Sequence, residues 1–295
     1  MSLHNLKKIL GEARRNKYGI LASPVFNFDS AETLLSAAEE KDSPIIIMIS
    51  DPMQKKYGYF NFQCLIGPLL EMAKGSPVPV VLHLDHGSGY ENIMRYIEAG
   101  LTSVMISGDR DLDKNMEDAK KIVCAAHKYD VTVEGEVGLI EGEGGLEGTA
   151  DRASSGEDIK KSYTDPHEAK AFVEYTGVDA LAVSVGTSHG YFKSAPSIDF
   201  GLISILSRIP DVSLVVHGAS GLEVSDYREM VKRGIIKFNY YTGLINAASQ
   251  EARSCLCSNG EVSFTECNWR SLKAIKEKAK WLMDIFGSSG KAIRK

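Results

Sequence analysis

Short apolar runs alternate with stretches of helical character along the whole chain, and no linker-like segment interrupts the alternation. The runs are rich in Val, Ile and Leu, which is typical of strands that are buried on both faces. Two strands that are joined through a helix usually run parallel to each other. We predict eight strands, at 18–22, 45–49, 78–87, 103–106, 131–136, 179–183, 214–216 and 235–238.

This succession of elements favours a closed barrel. Eight strand–helix units in a chain of 295 residues fit a parallel (β/α)8 barrel, the TIM-barrel class, better than an open doubly wound sheet, which remains the alternative. We expect a single domain over residues 1–295, with extra helices after the last strand. In such a barrel the active site is built at the rim formed by the C-terminal ends of the strands.

Composition and charge exclude several classes of function. The net charge is −5, and no Lys/Arg cluster with interleaved aromatic residues occurs, so nucleic acid is not an expected partner. The five cysteines are scattered and form no Cys-x-x-Cys pair, which argues against a disulfide framework. The N-terminus lacks a signal-peptide core, and no apolar run is long enough to span a bilayer. We therefore expect a soluble, cytoplasmic protein with no membrane partner.

Polar side chains stand at the ends of most of these strands. They are Ser50, Asp85 with His86, Ser107, Glu134 with Glu136, His189, His217 and Asn239. Because the C-terminal ends of the strands lie on one rim of a parallel barrel, we expect these side chains to converge.

Three of the histidines lie at such strand ends, namely His86, His189 and His217. Three neutral imidazoles that leave one coordination position open are a common catalytic zinc arrangement. The alternative for any one of them is a buried histidine that is hydrogen-bonded to the backbone, and three separate strand ends weaken that alternative. His83 points into the barrel two residues before Asp85, and we expect it to support a metal ligand rather than to be one.

The turns after strands six to eight are rich in glycine and hydroxyl groups. They contain Gly186, Gly190, Gly218, Ser220 and Gly221, and Asn239-Tyr-Tyr-Thr242 opens the last crossover. Such turns expose backbone N–H groups to an anion, and barrels often bind phosphate after strands seven and eight. Tight turns that need glycine for backbone geometry alone remain the alternative.

Several stretches are specific in combination. They are Phe26-Asn27, Ser50, His83-Leu-Asp-His-Gly87, Val133-Glu-Gly-Glu-Val-Gly138, Thr164-Asp-Pro166, Gly177-Val-Asp179, Gly186-Thr-Ser-His-Gly190 with Lys193, His217-Gly-Ala-Ser-Gly221, Asn239-Tyr-Tyr-Thr242 and Phe286-Gly-Ser-Ser-Gly-Lys291. In these stretches the chain resembles the class II, metal-dependent ketose-bisphosphate aldolases, the fructose- and tagatose-bisphosphate aldolase family. The resemblance runs essentially from end to end.

The resemblance implies retro-aldol cleavage of a ketose bisphosphate, of the fructose- or tagatose-1,6-bisphosphate type, to dihydroxyacetone phosphate and an aldehyde. It implies that His86, His189 and His217 bind Zn²⁺. Asp85 would be the general base that takes the proton from the C4 hydroxyl of the ketose. A divalent cation that chelates both oxygens of the resulting enediolate would neutralise its charge.

The same resemblance assigns residues to the substrate. Glu136 matches an acidic residue that lies close to the metal or offers it an alternative position, and Ser50 would face the aldehyde half. The phosphate of the dihydroxyacetone half would rest on Gly190, Lys193, Gly218, Ala219, Ser220, Asn239, Tyr240, Tyr241 and Thr242. A Na⁺ or K⁺ ion near the phosphate and a homo-oligomer, either a dimer or a tetramer, are also implied.

The chain departs from the family pattern at two points. Ser107 stands where an Asp usually follows strand four, and Gly243 stands where an acid usually follows Thr242. The resemblance also implies a Glu in the glycine-rich lid after strand five that transfers the enediolate proton. Glu143 and Glu147 are the candidates for it. An altered substrate therefore has to be considered.

Two other functions and one other mechanism remain open. A lapsed aldolase, which binds zinc and sugar phosphate without ordinary bisphosphate cleavage, is motivated by Ser107 and Gly243. A zinc hydrolase on the same barrel is a second enzymatic hypothesis, although the first strand carries no His-x-His pair. A Schiff base would be the metal-free route to an aldolase, and Lys193 and Lys237 are the lysines near the rim.

Overall fold

The computed structural model describes residues 2–57, 62–109, 111–138, 163–190, 196–258 and 262–292. It contains the strands β1 Ile20–Pro24, β2 Ile45–Ser50, β3 Val80–Gly87, β4 Ser103–Ile106, β5 Thr132–Val137, β6 Ala180–Val183, β7 Ser213–Val216 and β8 Ile235–Asn239. They form a closed barrel in sequence order, all neighbours are parallel, and β8 pairs with β1. The predicted (β/α)8 class is thereby confirmed.

Helices connect the strands and cover the outside of the barrel. They are α1 Leu6–Asn16, α2 Phe28–Lys41, α3 Asp51–Tyr57, α4 Phe62–Gly75, α5 Tyr90–Glu98, α6 Leu112–Ala126, α7 Pro166–Thr176, α8 Phe200–Leu206, α9 Val224–Arg233, α10 Thr242–Leu256 and α11 Phe264–Phe286. The last two follow the final strand, as expected. Among these described helices, none combines the length and the apolar character that a membrane crossing requires.

The strands are buried on both faces, as their continuous apolar runs require. One cluster of apolar side chains lies between the barrel and its helices, and a second fills the barrel interior. Leu6, Leu10 and Ala13 of α1 belong to the interior cluster. The Leu6 N–H donates to Thr132 Oγ1 at the start of β5 over 3.0 Å. Helix α1 therefore closes the end of the barrel where the strands begin, opposite the rim that carries the predicted site residues.

The first strand begins later than its sequence predicts. Its start is Ile20 rather than Tyr18. The Tyr18 N–H donates to the Ala13 carbonyl over 3.1 Å, and the Gly19 N–H donates to the Phe286 carbonyl over 2.8 Å. Both bonds tie the backbone to helix ends instead of to a neighbouring strand, and apolar character alone does not reveal them.

Candidate active site

A local distortion of β3 places Asp85 and His86 at the same rim. Asp85 pairs in register with Ser50 of β2. Between Leu84 and Gly87 the register of β3 shifts against β4, and His86 within this bulge has a φ of 52°. In a regular strand His86 would point outward with Leu84, away from the side that Asp85 faces. The bulge re-aims the imidazole.

Three histidine rings from different strand ends lie beside one another. The ring centroids are 5.0 Å apart for His86 and His217, 5.3 Å for His86 and His189, and 5.6 Å for His189 and His217. One possible ligand nitrogen from each ring lies within 4.8 Å of the other two. The structure therefore brings together the histidines that stand at three separate strand ends in the sequence.

Two of these rings, His86 and His217, have the protonation state that a metal ion requires. Burial lowers the pKa of His86 to about 4 and holds the pKa of His217 well below its ordinary value. Both imidazoles are therefore neutral at pH 7 and keep a lone pair. Within the described part of the chain, the buried Nε2 atom of His86 has no hydrogen-bond partner. A divalent cation such as zinc would satisfy this nitrogen, so the residues fit the metal.

Glu134 fixes the tautomer of His217. Both side chains are fully buried, and His217 Nε2 lies 3.0 Å from Glu134 Oε1. Because the carboxylate accepts, Nε2 of the neutral ring carries the proton and Nδ1 keeps its lone pair. Histidines that bind metals commonly donate their other N–H to a carboxylate in this way. The sequence placed Glu134 at the rim but did not reveal this contact.

Asp85 has the properties of a general base. Its side chain is buried, and its Oδ1 accepts a hydrogen bond from Asn239 Nδ2 over 3.1 Å. Burial raises the pKa of Asp85 to about 6, and the nearby positive charge of Lys237 offsets part of this effect. A carboxylate whose pKa lies near the working pH is a better proton acceptor than an exposed aspartate.

A cleft of about 430 Å³, part of it open to solvent, lies against these groups. Most residues that the sequence assigns to the substrate line it, namely Ser50, Gly190, Gly218, Ser220, Asn239, Tyr240, Tyr241 and Thr242, together with Asp85 and His189. Pro24, Met48 and Met53 add an apolar wall that the sequence did not indicate. Only about 30 Å³ of this space is wide enough to hold a water molecule, so the cleft is narrow.

Ala219 and Glu136, two of the predicted site residues, are not among the residues that line the cleft, and two others are outside the part of the chain that the structure describes. Ala219 is fully buried and packs behind the cleft, where its carbonyl accepts from the Tyr227 hydroxyl over 2.6 Å. Glu136 is nine-tenths buried at the end of β5 and does not belong to the group of three ligand nitrogens. Glu143 and Lys193 lie outside the described residues. Their predicted roles stay predictions.

Gly218 allows two rim loops to touch. Its φ is +63°, and a Cβ at this position would lie 2.3 Å from both the carbonyl carbon and the carbonyl oxygen of Ser188. The loop that carries His217 therefore packs directly on the backbone beside His189. Here glycine is required by close approach as well as by backbone conformation.

We expect Gly218→Ala to separate these loops. The substitution should lower the free energy of unfolding by about 2 kcal/mol or more, because it adds a clash to an unfavourable positive φ. It should also weaken metal binding, since it moves His217 away from His189. Denaturant unfolding and metal titration would measure both effects. Gly67→Ala, at a position in α4 where a Cβ meets nothing within 4 Å, is the matched control; it should keep the metal affinity and should not lower the free energy of unfolding.

The departure at Gly243 has a structural counterpart in Tyr240. A Cβ at position 243 would lie 2.2 Å from the Tyr240 hydroxyl. The Gly243 N–H donates to Ser220 Oγ over 3.1 Å, so this backbone is held next to the cleft. An acidic side chain at 243 would require Tyr240 to move. The Tyr240 hydroxyl therefore occupies the space that a side chain at position 243 would need.

Sequence reasoning missed a buried ion pair beneath the histidines. Lys237 Nζ lies 2.8 Å from Glu134 Oε2, and both side chains are fully buried in the barrel. Lys237 lies below the rim and not at its opening. The sequence did contain a signal for it. Side chains two residues apart in a strand face the same side, so Lys237 shares the inward face with Asn239, and Glu134 shares it with Glu136.

Comparison with known proteins supports one family throughout the chain. The sequence model described as fructose-bisphosphate aldolase class-II matches residues 4–291. A 6-phospho-5-dehydro-2-deoxy-D-gluconate aldolase of Bacillus licheniformis is 34% identical over 99% of this chain and 98% of its own length. A fructose-bisphosphate aldolase of Thermus caldophilus is 33% identical over 97% and 98%, respectively. The crystal structure of the YdjI aldolase from Escherichia coli K12 superposes with a TM-score of 0.84 at 30% identity, covering 98% of this chain and 99% of that chain. The chain therefore belongs to the class II fructose-bisphosphate aldolase family.

Proposed function

We propose that this protein is a zinc-dependent aldolase that cleaves a ketose bisphosphate, of the fructose- or tagatose-1,6-bisphosphate type, to dihydroxyacetone phosphate and an aldehyde. The observation that carries the proposal is the meeting of His86, His189 and His217 beside the buried carboxylate of Asp85. Family membership supports the aldolase activity. The named activities of the relatives differ in substrate, so the sugar is the part of the proposal that most needs a test.

The three histidines would hold the zinc ion, which when bound supplies positive charge to the enediolate that carbon–carbon cleavage leaves. Asp85 takes the proton from the C4 hydroxyl of the ketose. Burial supports this role because it raises the basicity of the carboxylate. Asn239 donates to Asp85 and holds the carboxylate in one orientation at the cleft.

Lys237 does not have the surroundings of a Schiff-base lysine. Its ammonium lies 2.8 Å from Glu134 Oε2 and donates to Asn239 Oδ1 over 2.8 Å. Both contacts hold the Lys237 nitrogen inside the barrel as a hydrogen-bond donor, whereas a nucleophilic amine needs a free lone pair that faces the substrate. The side chain is also fully buried. These contacts favour the metal-dependent route over a covalent route through this lysine.

The glycine- and hydroxyl-rich turns would bind the phosphate of the dihydroxyacetone half. Gly190, Gly218 and Ser220 line the cleft next to Thr242, the first residue of α10. The N-terminus of a helix carries free backbone N–H groups and partial positive charge, which suit a phosphate. Lys193 would add a full positive charge.

A panel of ketose phosphates tests the substrate. We expect the zinc-loaded protein to release dihydroxyacetone phosphate from at least one of fructose-1,6-bisphosphate, tagatose-1,6-bisphosphate and the corresponding ketose 1-phosphates. A reductase-coupled assay for triose phosphate measures this directly. Zinc and triose phosphate binding without cleavage of any compound would favour a lapsed aldolase, the alternative that Ser107 and Gly243 motivate. A hydrolytic product without triose phosphate would favour a zinc hydrolase.

We also propose a homo-oligomer, with the two C-terminal helices as part of the contact. Leu256 in α10 and Phe264 and Trp269 in α11 are large apolar side chains with 70%, 85% and 57% of their surface exposed. Burial against a second copy would remove this surface from water. Light scattering of the purified protein tests the oligomer, and Phe264→Glu should shift it toward the monomer.

A further inference from the structure

A complete charge pair lies inside the barrel beneath the histidines, and its lysine has no role in the chemistry proposed above. Glu134 of β5 and Lys237 of β8 are both 0% exposed, and Lys237 Nζ lies 2.8 Å from Glu134 Oε2. The pair shares the barrel interior with apolar side chains and with His83, whose Nε2 lies 3.7 Å from Glu134 Oε2. Burying two charges costs free energy that their mutual attraction seldom repays in full, so a buried pair is weak support for stability. The presence of this pair in the barrel is therefore better explained by a function than by a gain in stability.

The contacts of the pair lead directly to the site. Glu134 Oε1 accepts from His217 Nε2 over 3.0 Å. Lys237 Nζ donates to Asn239 Oδ1 over 2.8 Å. Lys237 is fully buried, and among the described residues that line the cleft Asn239 is present and Lys237 is not. Its influence on a substrate has to act through Asn239.

Lys237 decides which way the Asn239 amide faces. An ammonium group has only donors, so the atom of Asn239 that contacts it must be the carbonyl oxygen. The NH₂ group is then forced to the opposite side, where Nδ2 lies 3.1 Å from Asp85 Oδ1. The same nitrogen also lies against the His217 ring, 3.1 Å from Nε2 and 3.4 Å from Nδ1, but Nε2 carries the proton that points to Glu134 and accepts no hydrogen bond from the amide. If the amide turned over, its oxygen would face the Asp85 carboxylate and repel it.

We propose that Lys237 is a positioning residue of this aldolase: its ammonium, held by Glu134, locks the Asn239 amide so that its N–H group orients the Asp85 carboxylate toward the substrate. The inference rests on the proposed function, because it assigns Asp85 a role in turnover. It explains why a lysine stands inside an apolar barrel two residues before the rim.

The test removes both charges together. Lys237→Met alone leaves the Glu134 carboxylate buried without its cation, and we expect it to lower the Tm by roughly 10 °C. The double variant Glu134→Gln/Lys237→Met removes this problem, and its glutamine oxygen still accepts from His217. We expect the double variant to regain most of the lost Tm and to bind Co²⁺ within about threefold of the wild-type affinity, while kcat falls roughly 10- to 100-fold with little change in KM.

A cycle with Asn239→Ala tests whether Lys237 acts through Asn239. Once the amide is absent, adding Glu134→Gln/Lys237→Met should lower kcat by no more than about twofold. Lys276→Met, which breaks a surface pair with Glu40 on the outer helices, is the matched control and should keep the wild-type kcat.

Three outcomes would overturn the inference. The first is a near-normal kcat in the double variant. The second is a further fall in kcat of the full 10- to 100-fold when the double change is added to Asn239→Ala. The third is a loss of Co²⁺ affinity in the double variant that is as large as its loss of kcat. A wild-type protein that cleaves no ketose phosphate would overturn the proposed function and this inference with it. Active wild-type protein with multiplicative losses would overturn the positioning role alone.

Discussion

Replacing Asp85 by asparagine is expected to leave a folded protein that binds zinc but turns over at least ~10²-fold more slowly, since a positioned general base contributes roughly 10²- to 10⁴-fold. The amide has nearly the shape of the carboxylate but cannot take a proton from the C4 hydroxyl. Because Asp85 is not one of the three metal-binding candidates, zinc content should stay near that of the wild type. The coupled triose-phosphate assay, metal analysis and thermal melting measure the three properties.

Asp179 offers a matched control for Asp85. It is also a buried aspartate of the barrel, but it accepts from the Val133 N–H over 2.9 Å, near the start of β5 and far from the rim. Asp179→Asn should therefore lower stability and leave kcat within about twofold of the wild type. Turnover of more than a tenth of the wild-type rate in Asp85→Asn would show that another group is the base.

Removal of the metal is expected to abolish cleavage. Treatment with EDTA should bring activity below about 1% of the loaded protein, because the enediolate would lose its stabilising charge, and added Zn²⁺ should restore it. His217→Ala should weaken zinc binding by roughly 100-fold or more, since only two imidazoles remain. Cleavage that survives complete removal of the metal would contradict the proposed mechanism.

His127 supplies the control for the histidine substitution. Its Nε2 pairs with Asp179 Oδ2 over 2.9 Å, at the end of the barrel opposite the rim. His127→Ala should keep the zinc affinity of the wild type. Equal losses in His127→Ala and His217→Ala would show that the effect arises from general destabilisation and not from a lost metal ligand.

The position of the site could be predicted because strand ends have a clear chemical mark. An apolar run that is buried on both faces stops where a polar side chain begins, as at Asp85, His217 and Asn239. Once eight such runs were assigned to one parallel barrel, their ends had to share a rim. The family resemblance then assigned residues that are distant in sequence to one site before any contact between them was known.

The detailed geometry could not be predicted from the same marks. Strict alternation turns His86 outward, and only the bulge with its positive φ brings the ring to the site. Ala219 stands in the middle of a glycine-rich turn, yet the conformation of that turn places it behind the cleft. The pairing of Glu134 with Lys237 depends on which inward side chains meet across the closed barrel. Period-two alternation gives their direction but not their partner.

The most direct test of the account is the structure of the zinc-loaded protein, determined by crystallography together with X-ray absorption at the zinc edge. We predict one zinc ion with nitrogen ligands from His86, His189 and His217 at about 2.0–2.1 Å. Asp85 should lie beside the ion without being a ligand, in hydrogen-bond reach of a bound ketose phosphate. A zinc ion held by other side chains, or three histidine rings that bind no common ion, would contradict the account.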